Sequence, residues 1–443
     1  MTEAAGVPSI SDGSSFPDGS NFHVPRLLDF SSDVAHMPAQ VFVGGLGNIS
    51  LTWPPGHLGP VGRQNAFKVL PISYAAYPEF VRPHPLPKVY DFAPYRPAAM
   101  SAYRHLRLYG PLEEARYFDD YSRSYFGFTR RKAGWDCMRH YEILAAGSIP
   151  YFVNLSQAPR NTMASFPREL VLEAMSLEGV KFELSADGEG VERAEIDHSI
   201  FNHTHYFLLL SRLHAWTATH LTTVALAKRL LRVMNLEQHT WGTAKVLYLV
   251  QPGGFGPAAT YDEGGNLRDM LLHGLRKVLG NGLIDAFRMS HMYEDALPET
   301  PGESGLSQEQ WEMEEVEARS AMHGFGFFHA ALLSADHLID RTRIQEQIAQ
   351  HDFDLIIVGS VCHDIIARRD LEEVLADVPD ELPYWQDVIA HYPPSKVALV
   401  DGDDWAQLPC RHWNCFCTCL RRYGPYGVYF WREIFDDAHI QCA

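Results

Sequence analysis

The sequence predicts an α/β protein with parallel sheets in two Rossmann-like lobes joined by a helical bridge, and three observations predict it. Runs of strand length with apolar centres (IPYFVNL, KVLYLV, DFDLIIVGSV, KVALVDGD) alternate with stretches whose apolar residues recur at helical spacing. Those runs lack the polar alternation of a half-solvated strand, as a sheet covered on both faces requires. KVLYLV also leads through the glycine-rich QPGGFGPAATYDEGGN into the amphipathic LRDMLLHGLRKVL, the strand–loop–helix order of a doubly wound sheet.

In chain order, residues 1–35 are rich in Ser, Gly, Pro and Asp and predict a flexible arm. A first lobe follows over 36–205. Its early part mixes apolar bursts with prolines, which predicts short strands and extended connections. AGWDCMRHYEILAAG places Trp135, Met138, Tyr141, Ile143 and Leu144 mostly at helical spacing, and Gly147 can end the turn before the strand IPYFVNL. Long helical patterns, FNHTHYFLLLSRLHAW and LTTVALAKRLLRVMNL, form the bridge at 206–239, the second with Thr222 or Thr223 as N-cap. The second lobe spans 240–435 and carries an acidic, Pro-containing surface excursion at 298–319. Residues 436–443 are a tail.

Composition narrows the function. The 443 residues carry 37 Lys+Arg against 55 Asp+Glu, a formal charge of −18 that gives no support to a protein held mainly on phosphate backbones. Hydrophobic residues at 46% and charged ones at 21% are ordinary globular usage, which excludes wholesale disorder. No apolar run reaches the roughly 18 residues a bilayer span needs, and the start lacks a secretory pattern. These features predict a soluble, intracellular protein, cytoplasmic or nuclear, without a membrane span. Of the seven cysteines, Cys410, Cys415, Cys417 and Cys419 crowd one segment with His412; either they are reduced thiols or they hold zinc, although Cys-x-Cys spacing suits a metal poorly.

The chemistry concentrates in TRRKAGWDCMRHYEILAAG. Arg130, Arg131, Lys132 and Arg139 stand close together in an otherwise acidic chain, and cations of this kind clamp a diphosphate. Glu142, three residues beyond Arg139 on the same helix, can accept the two hydroxyls of a ribose. The bland alternative is a solvated basic turn and an internal Arg139–Glu142 pair. The small-residue turn ending at Gly147 favours the ligand reading, because helix and strand can then approach a ligand closely.

Residues after the other strands are candidates by position, since ligands of open parallel sheets lie at the carboxyl ends of the strands. After DLIIVGSV come His363 and Asp364, and after KVALV come Asp401 and Asp403. His363 is the leading candidate for a general base, with Asp364 and Asp401 behind it; helix capping explains the same letters. Asp401 and Asp403 could instead hold Mn or Mg in a metal-dependent transferase of GT-A type. A nicotinamide dehydrogenase would need G-x-G-x-x-G after KVLYLV, and GGFGPAAT lacks that spacing.

The segment YFDDYSRSYFGFTRRKAGWDCMRHYEILAAGSIPYFVNL, with TMASFPRELVLEA and LTTVALAKRLL, resembles the nucleotide-sugar-binding lobe of bacterial and viral glycosyltransferases of GT-B fold. RHYEILAAGSIPYF is also similar to the Arg-x-x-Glu signature of exostosin-type transferases. GFGFFHAALL, DFDLIIVGS, KVALVDGDD and GVYFWREI resemble the acceptor-side lobe of the same group, in reversed order, which implies a circular permutation. The resemblance implies a hexosyltransferase that binds its donor, a UDP-linked sugar, through Arg130, Arg131, Lys132, Trp135, Asp136, Arg139, His140, Glu142 and Gly147. Arg139 would face the diphosphate and Glu142 the ribose. No cofactor is implied beyond that co-substrate, because the basic cluster supplies the charge a metal would carry. The acceptor is a hydroxyl on a glycan, protein, lipid or hydroxymethylated nucleobase, and a non-catalytic nucleotide-sugar-binding module is the rival reading.

Overall fold

The structure is a computed structural model that describes residues 69–82, 86–94, 108–132, 134–185, 191–250, 266–299, 301–334, 339–359, 361, 382–402 and 423–433. The N-terminal arm, the glycine-rich loop at 251–265, His363, Asp364, Asp403, the Cys410–Cys419 cluster and the tail lie outside the described residues.

The larger sheet has six strands: β1 (Val69–Pro71), β7 (Val246–Leu249), β8 (Leu283–Asp285), β9 (Leu355–Val358), β10 (Val397–Asp401) and β11 (Val428–Trp431). Their order is β1-β11-β10-β9-β7-β8, and every neighbouring pair is parallel. Side chains alternate between two buried faces. Leu70, Tyr248, Ile357, Val400 and Phe430 enter one apolar cluster, while Val69, Leu247, Val358, Leu399 and Tyr429 enter the other. This double burial is why the strand sequences read as unbroken apolar runs. Winding reverses between β7 and β9, the kind of switch point at which ligands of doubly wound sheets lie.

β1 departs from the expected organisation. Residues 36–205 read as one lobe, yet Val69–Pro71 pairs with β11 at the opposite end of the described chain, and the Ile72 amide continues the ladder to the Trp431 carbonyl at 3.1 Å. Three residues of strand carry no signal of which sheet they will join; the exposed edge of β11 decides it.

A smaller parallel sheet holds β2 (Tyr90–Phe92), β3 (Ser124–Arg130) and β4 (Ile149–Val153), with β3 central. An antiparallel pair, β5 (Val180–Leu184) and β6 (Val191–Ile196), stands beside it. Helix α1 (Glu114–Ser122) precedes β3, α2 (Met138–Ala145) links β3 to β4, and α3 (Arg168–Met175) follows. Gly147 ends the α2 turn with φ of 82°, the left-handed backbone that glycine adopts without strain.

The bridge is two helices, α4 (His203–His220) and α5 (Thr223–Val233), each capped by a side chain that accepts a backbone N–H: Asn202 from His205 at 2.9 Å and Thr222 from Ala225 at 3.2 Å. Helix α5 packs against α6 (Asn266–Leu279), the helix that follows β7. The acidic excursion contains α7 (Pro301–Ser304) and α8 (Gln308–Ser320), opened by a Ser307–Gln310 capping box. Helices α9 (Ile344–Ala349) and α10 (Trp385–His391) cover the second face of the larger sheet. Among the described residues no helix is long and apolar enough to cross a membrane.

The α5–α6 contact depends on Gly274. A Cβ at that position would meet the Thr223 carbonyl oxygen at 2.0 Å, a backbone atom that cannot swing aside. Gly274→Ala is therefore expected to destabilise the protein by about 2–3 kcal/mol, read as a lower urea midpoint. An unchanged midpoint would show that the two helices part without cost.

Candidate functional site

The expected donor residues converge on the carboxyl end of β3 and the start of α2, and they divide into scaffold and site. Asp136 belongs to the scaffold. It is buried, and its carboxylate accepts the Tyr74 amide and the Tyr141 hydroxyl, each at 2.7 Å. His140 is likewise enclosed: Nδ1 meets Thr129 Oγ1 and Nε2 meets the Trp135 carbonyl, both at 2.9 Å, and its ring stacks on Phe152. Burial pulls its pKa down to about 3, so the imidazole stays neutral. Both side chains hold the turn and leave ligand recognition to their neighbours.

The periodicity of AGWDCMRHYEILAAG extends across Trp135, but α2 begins only at Met138. The reason is tertiary. The amides of Trp135 and Asp136 donate to Glu433 at 3.2 and 2.9 Å, which takes both out of the helical hydrogen-bond ladder. Arg432, fully buried beside Glu433, donates to the carbonyls of Asp136 and Gly402 and lies over the Tyr74 ring at 4.3 Å. Neither Arg432 nor Glu433 stands out in the sequence, where WRE reads as an ordinary strand end.

Arg139 and Glu142 face α1. The Tyr117 hydroxyl donates to Glu142, and the Arg139 guanidinium lies among Tyr117, Tyr121 and Glu142. The two tyrosines sit four residues apart in EARYFDDYS, helical spacing that could have flagged them. Arg139 Nε is buried with no hydrogen-bond partner, although the guanidinium is also hydrogen-bonded to Tyr117. A buried donor left unmade costs about 1–3 kcal/mol, more for a charged group, so this geometry suits an incoming acceptor. The two phenols and Glu142 hold the guanidinium firmly charged against the opposing effect of burial.

Lys132 stands close enough that Arg139, foremost, and then burial push its pKa down. Two crowded cations would be relieved by an anion between them. Arg130 ends β3, while exposed Arg131 stacks over the buried Trp135 ring at 5.3 Å. The site is thus a cluster of cations beside Glu142, a carboxylate oriented by a tyrosine. It can bind a phosphate-bearing ligand with hydroxyls within reach of that carboxylate.

Asp401 is fully buried at the end of β10, where Oδ2 accepts the Tyr429 hydroxyl at 2.6 Å. Among the described residues no group of three or more His, Cys, Asp or Glu side chains is placed to hold a metal ion. No family model, no curated protein and no solved structure matches the chain.

Glu433 has a distinct titration. Burial foremost, and the neighbouring Asp136 carboxylate, raise its pKa to about 7 against the opposing pull of Arg432 and the two amides. Its folded pKa then exceeds the unfolded value near 4.5, so its contribution to stability is complete below about pH 4.5 and is lost as pH rises towards 7. Thermal midpoints of wild type should fall over that window relative to Glu433→Gln, which cannot ionise. Parallel profiles for the two proteins would show that Glu433 is already ionised at pH 5.

Proposed function

We propose that the chain is a glycosyltransferase that moves a sugar from a UDP-linked donor to an acceptor hydroxyl, with the donor diphosphate on Arg139 and Lys132. The observation that carries this reading is the buried Arg139 guanidinium, whose Nε lacks a partner while Lys132 crowds it. A diphosphate supplies acceptor oxygens and negative charge for both. Glu142 follows on the next turn of α2 as the acceptor for ribose hydroxyls, oriented by Tyr117. Arg131 over Trp135 forms an exposed rim for the same ligand.

The sheet topology fits a two-lobed transferase of GT-B type. Its donor segment ends a parallel sheet, and a second, doubly wound sheet follows in the chain. The pairing of β1 with β11 supports the permuted order, because it sets the first and last described strands side by side. In this reading the basic cluster takes the part of a divalent cation. The buried, tyrosine-bonded Asp401 weakens the metal-dependent alternative. The acceptor is a hydroxyl-bearing molecule met inside the cell.

Calorimetric titration with UDP tests the assignment. Arg139→Ala should weaken UDP binding roughly 30-fold, about 2 kcal/mol, as expected for loss of a charge-assisted phosphate contact. Arg139→Lys, which keeps the charge without the planar fork, should fall between the two. A folded Arg139→Ala protein that binds UDP like wild type would overturn the donor site.

A further inference from the structure

Arg229, on the bridging helix α5, is a largely buried cation without a counter-charge. Its Nη1 donates to the Ser165 hydroxyl at 3.0 Å and its Nη2 to the Pro71 carbonyl at 3.1 Å, both neutral acceptors. Among the described residues it makes no ion pair, and its remaining N–H groups have no partner. Other largely buried arginines, Arg276, Arg319, Arg341 and Arg432, each meet a carboxylate at 2.5 to 2.9 Å. Burial pushes the Arg229 pKa down, the cost of holding a charge away from water with nothing of opposite sign beside it. The helix adds to the positive potential. TVALAKRLLRV contains Lys228, Arg229 and Arg232 and no acid, in a chain of formal charge −18. Arg232 lies three residues beyond Arg229, the spacing of neighbours on a helix surface.

Three parts of the chain meet at this guanidinium. Pro71 ends β1 of the larger sheet, and Ser165 lies in the segment between β4 and α3, so both acceptors follow carboxyl ends of parallel strands, where ligands of such sheets lie. The Ser165 segment is held firmly. Arg168 donates to the carbonyls of Ala158 and Pro159 at 2.8 and 2.5 Å and to that of Thr162, and Trp216 Nε1 donates to the Ser165 carbonyl at 3.1 Å. Met163 keeps a left-handed φ of 55° within it. Phe166 packs against His140 and Tyr141 of α2, with ring centroids 5.9 Å apart in each case. The Ser165 hydroxyl accepts from Arg229 and keeps its own hydrogen to donate.

We propose that Arg229 and Ser165 form a second anion site, made of different residues from the cluster at Arg139, which takes a phosphate or carboxylate group of a small ligand. The open N–H groups of the planar guanidinium and the serine O–H all donate, and an oxyanion accepts from them while supplying the missing negative charge. Water satisfies the same hydrogen bonds but leaves the charge unmatched. The site stands independently of the donor reading, because it shares no residue with the donor cluster.

Thermal unfolding in inorganic phosphate and in acetate, each against chloride at equal ionic strength, tests the site. Arg139→Ala serves as the host, so that phosphate held by the donor cluster does not contribute. An anion that binds the folded state raises the midpoint, whereas exclusion of phosphate from protein surfaces raises the midpoints of all variants alike. Adding Arg229→Gln to that host should remove the anion-specific part of the rise, a fall in affinity of roughly tenfold or more. The same change should leave the midpoint in chloride unchanged or higher, because it deletes an unmatched buried charge. Arg229→Lys, which keeps the charge without the fork, should retain part of the rise, and it supplies the comparison if Arg229→Gln does not fold. A rise with acetate alone assigns a carboxylate to the site, and one with phosphate alone assigns a phosphate. Equal rises in the host and its variants would overturn the proposal. So would an Arg229→Gln midpoint far below that of the host in chloride, which would make Arg229 a structural tie.

Discussion

The buried pair Arg432–Glu433 is the constraint on which the rest of the arrangement depends. Both side chains are fully excluded from solvent, and Nη1 of Arg432 lies 2.9 Å from Glu433 Oε1. A guanidinium in that position is tolerable only when its donors are occupied, and the carbonyls of Gly402 and Asp136 together with Glu433 occupy them. Glu433 in turn takes the amides of Trp135 and Asp136, so one pair at the end of β11 ties the larger sheet to the segment that leads into α2. Loss of either partner would leave a buried charge unmatched, at a cost of roughly 3–5 kcal/mol.

That tie sets the position of Arg139. Because the Trp135 and Asp136 amides are engaged by Glu433, α2 begins at Met138 and Arg139 falls in its first turn, where the helix turns it towards Tyr117 and Tyr121 on α1. Among the described residues some buried charges are closely matched. Asp285 receives Arg276 at 2.7 Å, Arg341 at 2.9 and 3.0 Å, and the Tyr293 hydroxyl at 3.1 Å. Asp136 is satisfied by an amide and a phenol. The Nε of Arg139, like that of Arg276, is buried without a hydrogen-bond partner, and it falls where basic residues crowd in a chain of formal charge −18.

The two carboxyl-end regions have different electrostatic character. The end of β3 and the start of α2 gather cations around one tyrosine-held carboxylate, while Asp269 on α6 lies with His291 after β8 and His329 after α8. The connection between them is short and aromatic. Phe327 and Phe328 insert between the tyrosine face of α1 and the histidine loop, and the backbone there sustains three left-handed non-glycine residues. A flexible link would let the two regions drift apart; a strained link clamped by ring contacts and the Glu114 acceptor keeps their spacing.

Much of the fold was legible in the sequence because parallel strands buried on both faces are unbroken apolar runs. IPYFV, VLYL, LIIV and VALVD all became strands for that reason. Local chemistry also announced the Thr222 cap and the Gly147 turn. The crowding of Arg130, Arg131, Lys132 and Arg139 marked the cationic segment, since charge density is a property of neighbouring residues. Tertiary structure alone decided which members of that segment serve the scaffold. Asp136 and His140 carry the same letters whether they face a ligand or the core, and only partners 62 residues away at Tyr74 and 11 away at Thr129 settle it. It alone placed Val69–Pro71 in the larger sheet, and it alone joined Glu433 to Trp135 across 298 residues. Periodicity and composition record what a residue does within a turn or two of chain, and hydrogen bonds closed over hundreds of residues leave no such local trace.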